Sequence, residues 1–313
     1  MAKKAAILIV VIALVTTSVM VGCGPGVQAI DLVPQDANFV VSIKINKIVS
    51  DTDLEGLYQE SKGPEAPETL EDALNQIGEE YGVNLSEFTE VLIFTHPSGG
   101  RQGYFGIILS GPGGTISSVK QTATEEMTEL EYEGSEIYTD ERIAMHFLSG
   151  SMMVCGTMDA VEDVIDVSGN RNLRLSGILR ETYDGLPEAW VRVAMEVPEV
   201  WLVWLPEQVM GIPVTPFSET EVVGYSFNKA GQAITTELDL YFSNSVYAGD
   251  AYDVIVAVIA ISGFMDFPEG VAEMLHEAVV GQDGRWVRIT LDITITEIEE
   301  LIGSMEAVPN SIT

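Results

Sequence analysis

Basic side chains are scarce in this chain: 15 Lys and Arg stand against 48 Asp and Glu in 313 residues, a formal charge of −33. A nucleic-acid backbone rewards clustered cations, so a chain this poor in them is excluded as a nucleic-acid binder. Cysteine occurs only at Cys23 and Cys155, which excludes a disulfide-rich scaffold and any multi-cysteine zinc or iron–sulfur centre. Histidine occurs only at His96, His146 and His276, so a three-histidine metal site would consume all of them. The Gly-x-Ser-x-Gly nucleophile elbow is absent. Apolar residues are plentiful instead, at 46%, enough to build real cores and to exclude disorder of the body. The length accommodates about two domains of ordinary size.

The N-terminus says where the body goes. Lys3 and Lys4 precede a run from Ala5 to Gly22 that is apolar apart from Thr16, Thr17 and Ser18, and no acid occurs before Asp31. A basic start, an apolar stretch and small residues at its end describe an export signal. The run closes as Met20-Val21-Gly22-Cys23-Gly24. This segment resembles the lipobox of bacterial lipoproteins, with Met20 where that family usually has Leu. The resemblance implies cleavage before Cys23, a thioether-linked diacylglycerol on its sulfur and a further acyl chain on its amine. More than one chain is what stable anchoring needs. Two other fates fit the same residues: secretion after cleavage behind Val27-Gln28-Ala29, or an uncleaved N-terminal helix held by the lysines. All three export the body, and the first anchors it to the outer face of the cytoplasmic membrane or to the outer membrane. Loss of residues 1–22 removes two lysines and makes the body more acidic still. Such a body is repelled by anionic head groups and is expected to stand off the membrane on its tether. Cys155, within the apolar run Met152 to Gly156, is expected to be a buried and inert thiol.

Behind a signal at residues 1–22 and a flexible tether at 23–32, the patterning predicts two α+β units, 33–169 and 170–313. Strand signals occur at Val40–Ile45, Val91–Thr95, Tyr104–Ser110, Leu130–Tyr138, Ile143–Leu148 and Met152–Cys155. Helices are expected from Ser50 and Asp53 through Glu60, around Leu70–Ile77, and at Thr115–Met127 and Thr157–Val167. The second unit reads as a helix near Ile178–Tyr183, strands at Trp190–Val197, Val222–Asn228, Ala233–Phe242 and Trp286–Leu291, and helices at Ala248–Ser262, Pro268–Val279 and Glu297–Met305. Ala248–Ser262 is strongly apolar but too short to span a bilayer. Thr157-Met158-Asp159-Ala160-Val161 and its continuation to Ile165 align without a gap on Thr294 to Ile302. Each half also holds a strand, a loop and a helix in the same order, so the two units read as a duplication. Hairpin-connected strands with segregated helices mean mixed or antiparallel sheets.

The body resembles one uncharacterised family of bacterial extracytoplasmic proteins. The resemblance rests on Val33-Pro34-Gln35-Asp36-Ala37, on Tyr132-Glu133-Gly134-Ser135-Glu136-Ile137-Tyr138, and on Val154-Cys155-Gly156 leading into Asp159–Ile165. It implies an exported α+β body and brings no catalytic residues.

The candidates for chemistry are weak. Glu273-Met274-Leu275-His276 has half the spacing of a di-iron site, but the other half is missing, and an exposed helix face explains it. Asp51-Thr52-Asp53-Leu54-Glu55-Gly56 begins like a calcium loop, but Lys62 stands where the bidentate Glu is needed. Ser110 to Thr115 sits where a phosphate loop would, yet lacks its Gly-Lys-Ser/Thr ending. Residues 198–217 are different, because they gather Trp201, Trp204, Leu205, Met210 and Phe217 among four prolines. That stretch is either a cover for the second sheet or an apolar ligand cleft or partner surface. The expectation is a non-enzymatic, lipid-anchored envelope protein that binds a partner. It needs no cofactor and no metal. The alternative is a carrier or sensor of an apolar, lipid-like ligand.

Overall fold

The computed structural model describes residues 28–63, 66–79, 83–96, 103–140, 142–198, 208–209, 212–264 and 270–306. The fold is α+β, and the chain divides into two compact units between Glu181 and Thr182. The turn at Ser168-Gly169-Asn170 lies inside the first unit, because the chain beyond it folds back. Arg171 N–H donates to the Asp166 carbonyl, Leu175 N–H to that of Val33, and Gln35 N–H to that of Leu173.

In the first unit a 3-10 turn at Ala29–Leu32 leads into β1 (Phe39–Ile43), followed by α1 (Ile45–Ile48), α2 (Thr52–Ser61) and α3 (Leu70–Glu79). Next come β2 (Glu90–Thr95), β3 (Phe105–Ser110) and α4 (Gly113–Glu126), then β4 (Thr128–Tyr132), β5 (Ser135–Thr139), β6 (Ala144–Ser149) and β7 (Met152–Gly156), and finally α5 (Met158–Ser168). The strands form an antiparallel sheet ordered β1-β2-β3-β7-β6-β5-β4. β3 and β7 lie at its centre, and Ile107, Ile108, Leu109, Met153, Val154 and Cys155 are all buried there. The apolar stripe Ala160, Val161, Val164 and Ile165 seats α5 on the sheet, while Glu162 and Asp163 keep partial access to water. Gly106 is required by its cross-strand partner, since a Cβ there would overlap the Phe94 ring.

The division between the units falls within α6 (Gly177–Gly185). The second unit continues with β8 (Val191–Glu196), the small pair β9 (Gln208–Val209) and β10 (Ile212–Pro213), and the long hairpin of β11 (Thr220–Ala230) and β12 (Ala233–Phe242). After it come α7 (Ser245–Ile261), α8 (Val271–Glu277), β13 (Val279–Asp283), β14 (Trp286–Thr294) and α9 (Ile295–Glu306). Its sheet is antiparallel, ordered β8-β11-β12-β14-β13.

Four expectations need correction. The stretch read as a flexible tether at 23–32 is folded at its end, where a 3-10 turn buries Ala29, Ile30 and Leu32. The strand read at Leu130–Tyr138 is a hairpin, β4 and β5, because Glu133 and Gly134 both take positive φ, 50° and 77°, and close a tight turn. The helix read at Pro268–Val279 stops at Glu277. Val279 and Val280 instead open β13, paired with Thr290 and Ile289 across a turn containing Gly284 at φ 58°. The cap of α2 is Asp51, which accepts from the N–H groups of Asp53 and Leu54, whereas Ser50 donates to the Lys47 carbonyl.

Candidate functional site

Of the residues singled out in the sequence, Cys23, Trp201, Trp204, Leu205 and Met210 lie outside the described residues. Phe217 is described. It sits in a 3-10 turn, Thr215–Glu219, half-buried against Leu240, Phe242, Ala248, Ala251 and Val287. Its ring centroid is 6.5 Å from that of Phe242. Phe217 therefore packs inward as part of the platform on which α7 rests.

That helix, expected at Ala248–Ser262, spans Ser245–Ile261, and what the sequence did not place is the exposure of its second half. Asn244 caps the helix by accepting from Val246 and Tyr247 N–H, and its first half is rooted in the sheet through Ala248 and Ala251. Its second half, Val254-Ile255-Val256-Ala257-Val258-Ile259-Ala260-Ile261, carries no polar side chain. None of those residues is buried: Val256 is 40% and Ile261 41% exposed. A helix apolar on every face ordinarily lies in a core or a bilayer. Among the described residues no helix is long and apolar enough to cross a membrane. The absence of any polar face after Asp253 was the available signal. An amphipathic partner would have shown a 3.6-residue period, and this stretch has none.

The titratable candidates are occupied structurally. Cys155 is fully buried, and burial pushes its thiol up to about 12, far from a reactive thiolate. His276 Nε2 lies 3.3 Å from Ser262 Oγ, which joins α8 to the end of α7 rather than holding a metal. His96 Nε2 is 2.8 Å from Asp36 Oδ2, tying the end of β2 to the Val-Pro-Gln-Asp-Ala segment. Beside it, the Tyr104 hydroxyl donates to Asp163 Oδ2 at 2.8 Å. Burial raises both of these groups, and the hydrogen bond raises Tyr104 further. Among the described residues no group of three or more His, Cys, Asp or Glu is disposed to hold a metal ion. In the Ser110–Thr115 segment α4 begins at Gly113 behind Pro112, with no side-chain cap.

No family model matches the chain, and no curated protein matches it. Among solved structures it is similar to the protein TP0453. Crystal form I gives a TM-score of 0.46 at 12% identity, over 90% of this chain and 99% of that one. Form III gives 0.46 at 12%, over 89% and 99%, and form IV gives 0.47 at 9%, over 89% and 98%. At these values the chain has a distant structural likeness to TP0453, and no activity is carried across from it.

Proposed function

We propose that this chain is a non-catalytic, lipid-anchored extracytoplasmic protein that binds an apolar partner or ligand at the outer half of α7. The observation that carries the reading is the unburied run Val254–Ile261, carried by a helix rooted in the sheet through Ala248 and Ala251, in a chain of charge −33. Elsewhere the carboxylates keep the surface solvated. An apolar patch of this kind costs solubility, and patches like it mark binding surfaces. The anchor follows from the lipobox-like Gly22-Cys23. The lack of an enzymatic role is supported by the sealed Cys155 and by histidines engaged in structural contacts.

The same reading includes a duplicated origin for the two units. The strand orders β1-β2-β3-β7-β6 and β8-β11-β12-β14-β13 correspond position by position. A helix follows the third strand in each (α4, α7) and the last strand in each (α5, α9). β5 and β4 are additions to the first unit. In the second unit the equivalent of α4 has lost its polar face, which fits a copy turned to binding.

The test is titration with an apolar dye that fluoresces when removed from water. Wild type is expected to bind it saturably. The double variant Val256→Lys with Ile261→Lys, altered only at exposed positions, is expected to lose most of the signal while keeping its circular dichroism. Equal dye binding by both proteins would contradict the reading.

A further inference from the structure

The first unit holds a second candidate site, independent of α7. A cleft of about 890 Å³ opens between the β6–β7 turn, the C-terminal end of α5 and the segment Asn172–Arg174. Its walls are unusual for so acidic a chain, because Asp31 is the one carboxylate among the residues lining it. Asp31 is already neutralised by Arg180, whose Nη1 donates to Oδ1 at 3.1 Å. Arg174 stands 4.0 Å from the same oxygen, beyond hydrogen-bond distance, with its side chain 68% exposed. Its backbone is nevertheless fixed, bridged to Pro34. The lining thus sets one guanidinium against one carboxylate, and Asp31 does not satisfy the donors of that guanidinium, the group best shaped for a carboxylate.

The remaining walls narrow the ligand. Leu148, Met152 and the 68% exposed Leu173 supply apolar contact, interleaved with Ser149, Ser151 and Asn172. His146 Nδ1–H donates to the Glu136 carbonyl at 2.8 Å, which leaves Nε2 of the neutral ring as an acceptor. A plain hydrocarbon tail would strand these hydroxyl, amide and imidazole groups, whereas a peptide backbone brings N–H and C=O groups to meet them. A single negative charge also suffers less repulsion from the acidic body than a phosphate dianion would. We propose that this cleft binds the C-terminal carboxylate of a short apolar peptide, with Arg174 receiving the carboxylate and Leu173 and Met152 contacting the last side chain.

The experiment is fluorescence polarisation on the full chain in phosphatidylcholine nanodiscs, using dye-labelled Ala-Val-Leu with a free or an amidated C-terminus. The free acid is expected to bind at least about tenfold more tightly than the amide, a difference of the size one charge-assisted pair supplies. Arg174→Gln should bind the acid as weakly as wild type binds the amide, and Arg174→Lys should restore part of the difference. Val256→Lys should leave this binding unchanged, which separates the cleft from α7. Equal binding of acid and amide, no binding of either, or an Arg174→Gln variant that binds like wild type would overturn the proposal. Arg174-dependent binding of laurate without binding of the tripeptide acid would overturn it in favour of a fatty acid.

Discussion

Asp163 is a carboxylate that the fold makes harder to ionise. Burial raises it above the ordinary 3.8, the nearby Asp36, Asp166 and Asp159 add to the rise, and the Tyr104 hydrogen bond works against it. A carboxyl raised in the folded state contributes stability that is fully present below its unfolded value and is lost as pH rises through its folded value. At pH 7 its charge is therefore a burden. Asp163→Asn removes the charge and keeps an oxygen for Tyr104, so it is expected to melt on the order of 2 °C higher than wild type at pH 7. The difference should vanish below the ordinary carboxylate value, and melting curves at pH 7 and pH 3.5 check it. An unchanged or lower melting temperature at pH 7 would count against this assignment. Cys155 shows how residue-scale reading succeeds: an apolar run with no neighbouring cation already implied a sealed thiol, and the structure buries it completely.

At the scale of elements, close backbone approaches matter more than propensity. Gly106 lies opposite Phe94, whose ring occupies the space a Cβ would need. Gly106→Ala is expected to destabilise the first unit by about 1–3 kcal/mol, the usual cost of overpacking. Urea unfolding would read this as a lower midpoint at an unchanged slope. Long periodic segments were legible in the sequence. α5 announced itself through Ala160, Val161, Val164 and Ile165, and the expected strand Ala233–Phe242 matches β12 residue for residue. What failed were places where two glycine-containing turns decide the outcome. Glu133-Gly134 splits one apparent strand into β4 and β5, and Asp283-Gly284 turns β13 back on β14. The second carries an Asp-Gly hairpin signal that the helical reading of Pro268–Val279 overrode. The cleft beside Arg174 was not legible, since its residues come from four separate segments joined only by the sheet and the returning loop. The apolar end of α7 was legible as composition but not as exposure, which depends on what packs over it.

For the molecule as a whole, charge and anchor act together. Under the proposed anchoring, a lipid on Cys23 would hold the body near the surface while its negative charge would keep it from lying on an anionic membrane. Cys23→Ser is expected to leave the precursor unlipidated and unprocessed at Gly22, with little change in melting temperature. Intact-mass measurement of the membrane fraction checks this. A mature N-terminus at Ile30 would contradict the anchor and leave export in place. The claim that matters most is that the outer half of α7 is covered by something apolar in the living cell. Native mass spectrometry of the body, cut from its tether and moved into detergent-free buffer, tests this most directly. Wild type is expected to carry a non-covalent adduct of defined mass, and the Val256→Lys with Ile261→Lys variant is expected to lose it. A bare polypeptide mass for both proteins would contradict the proposed function.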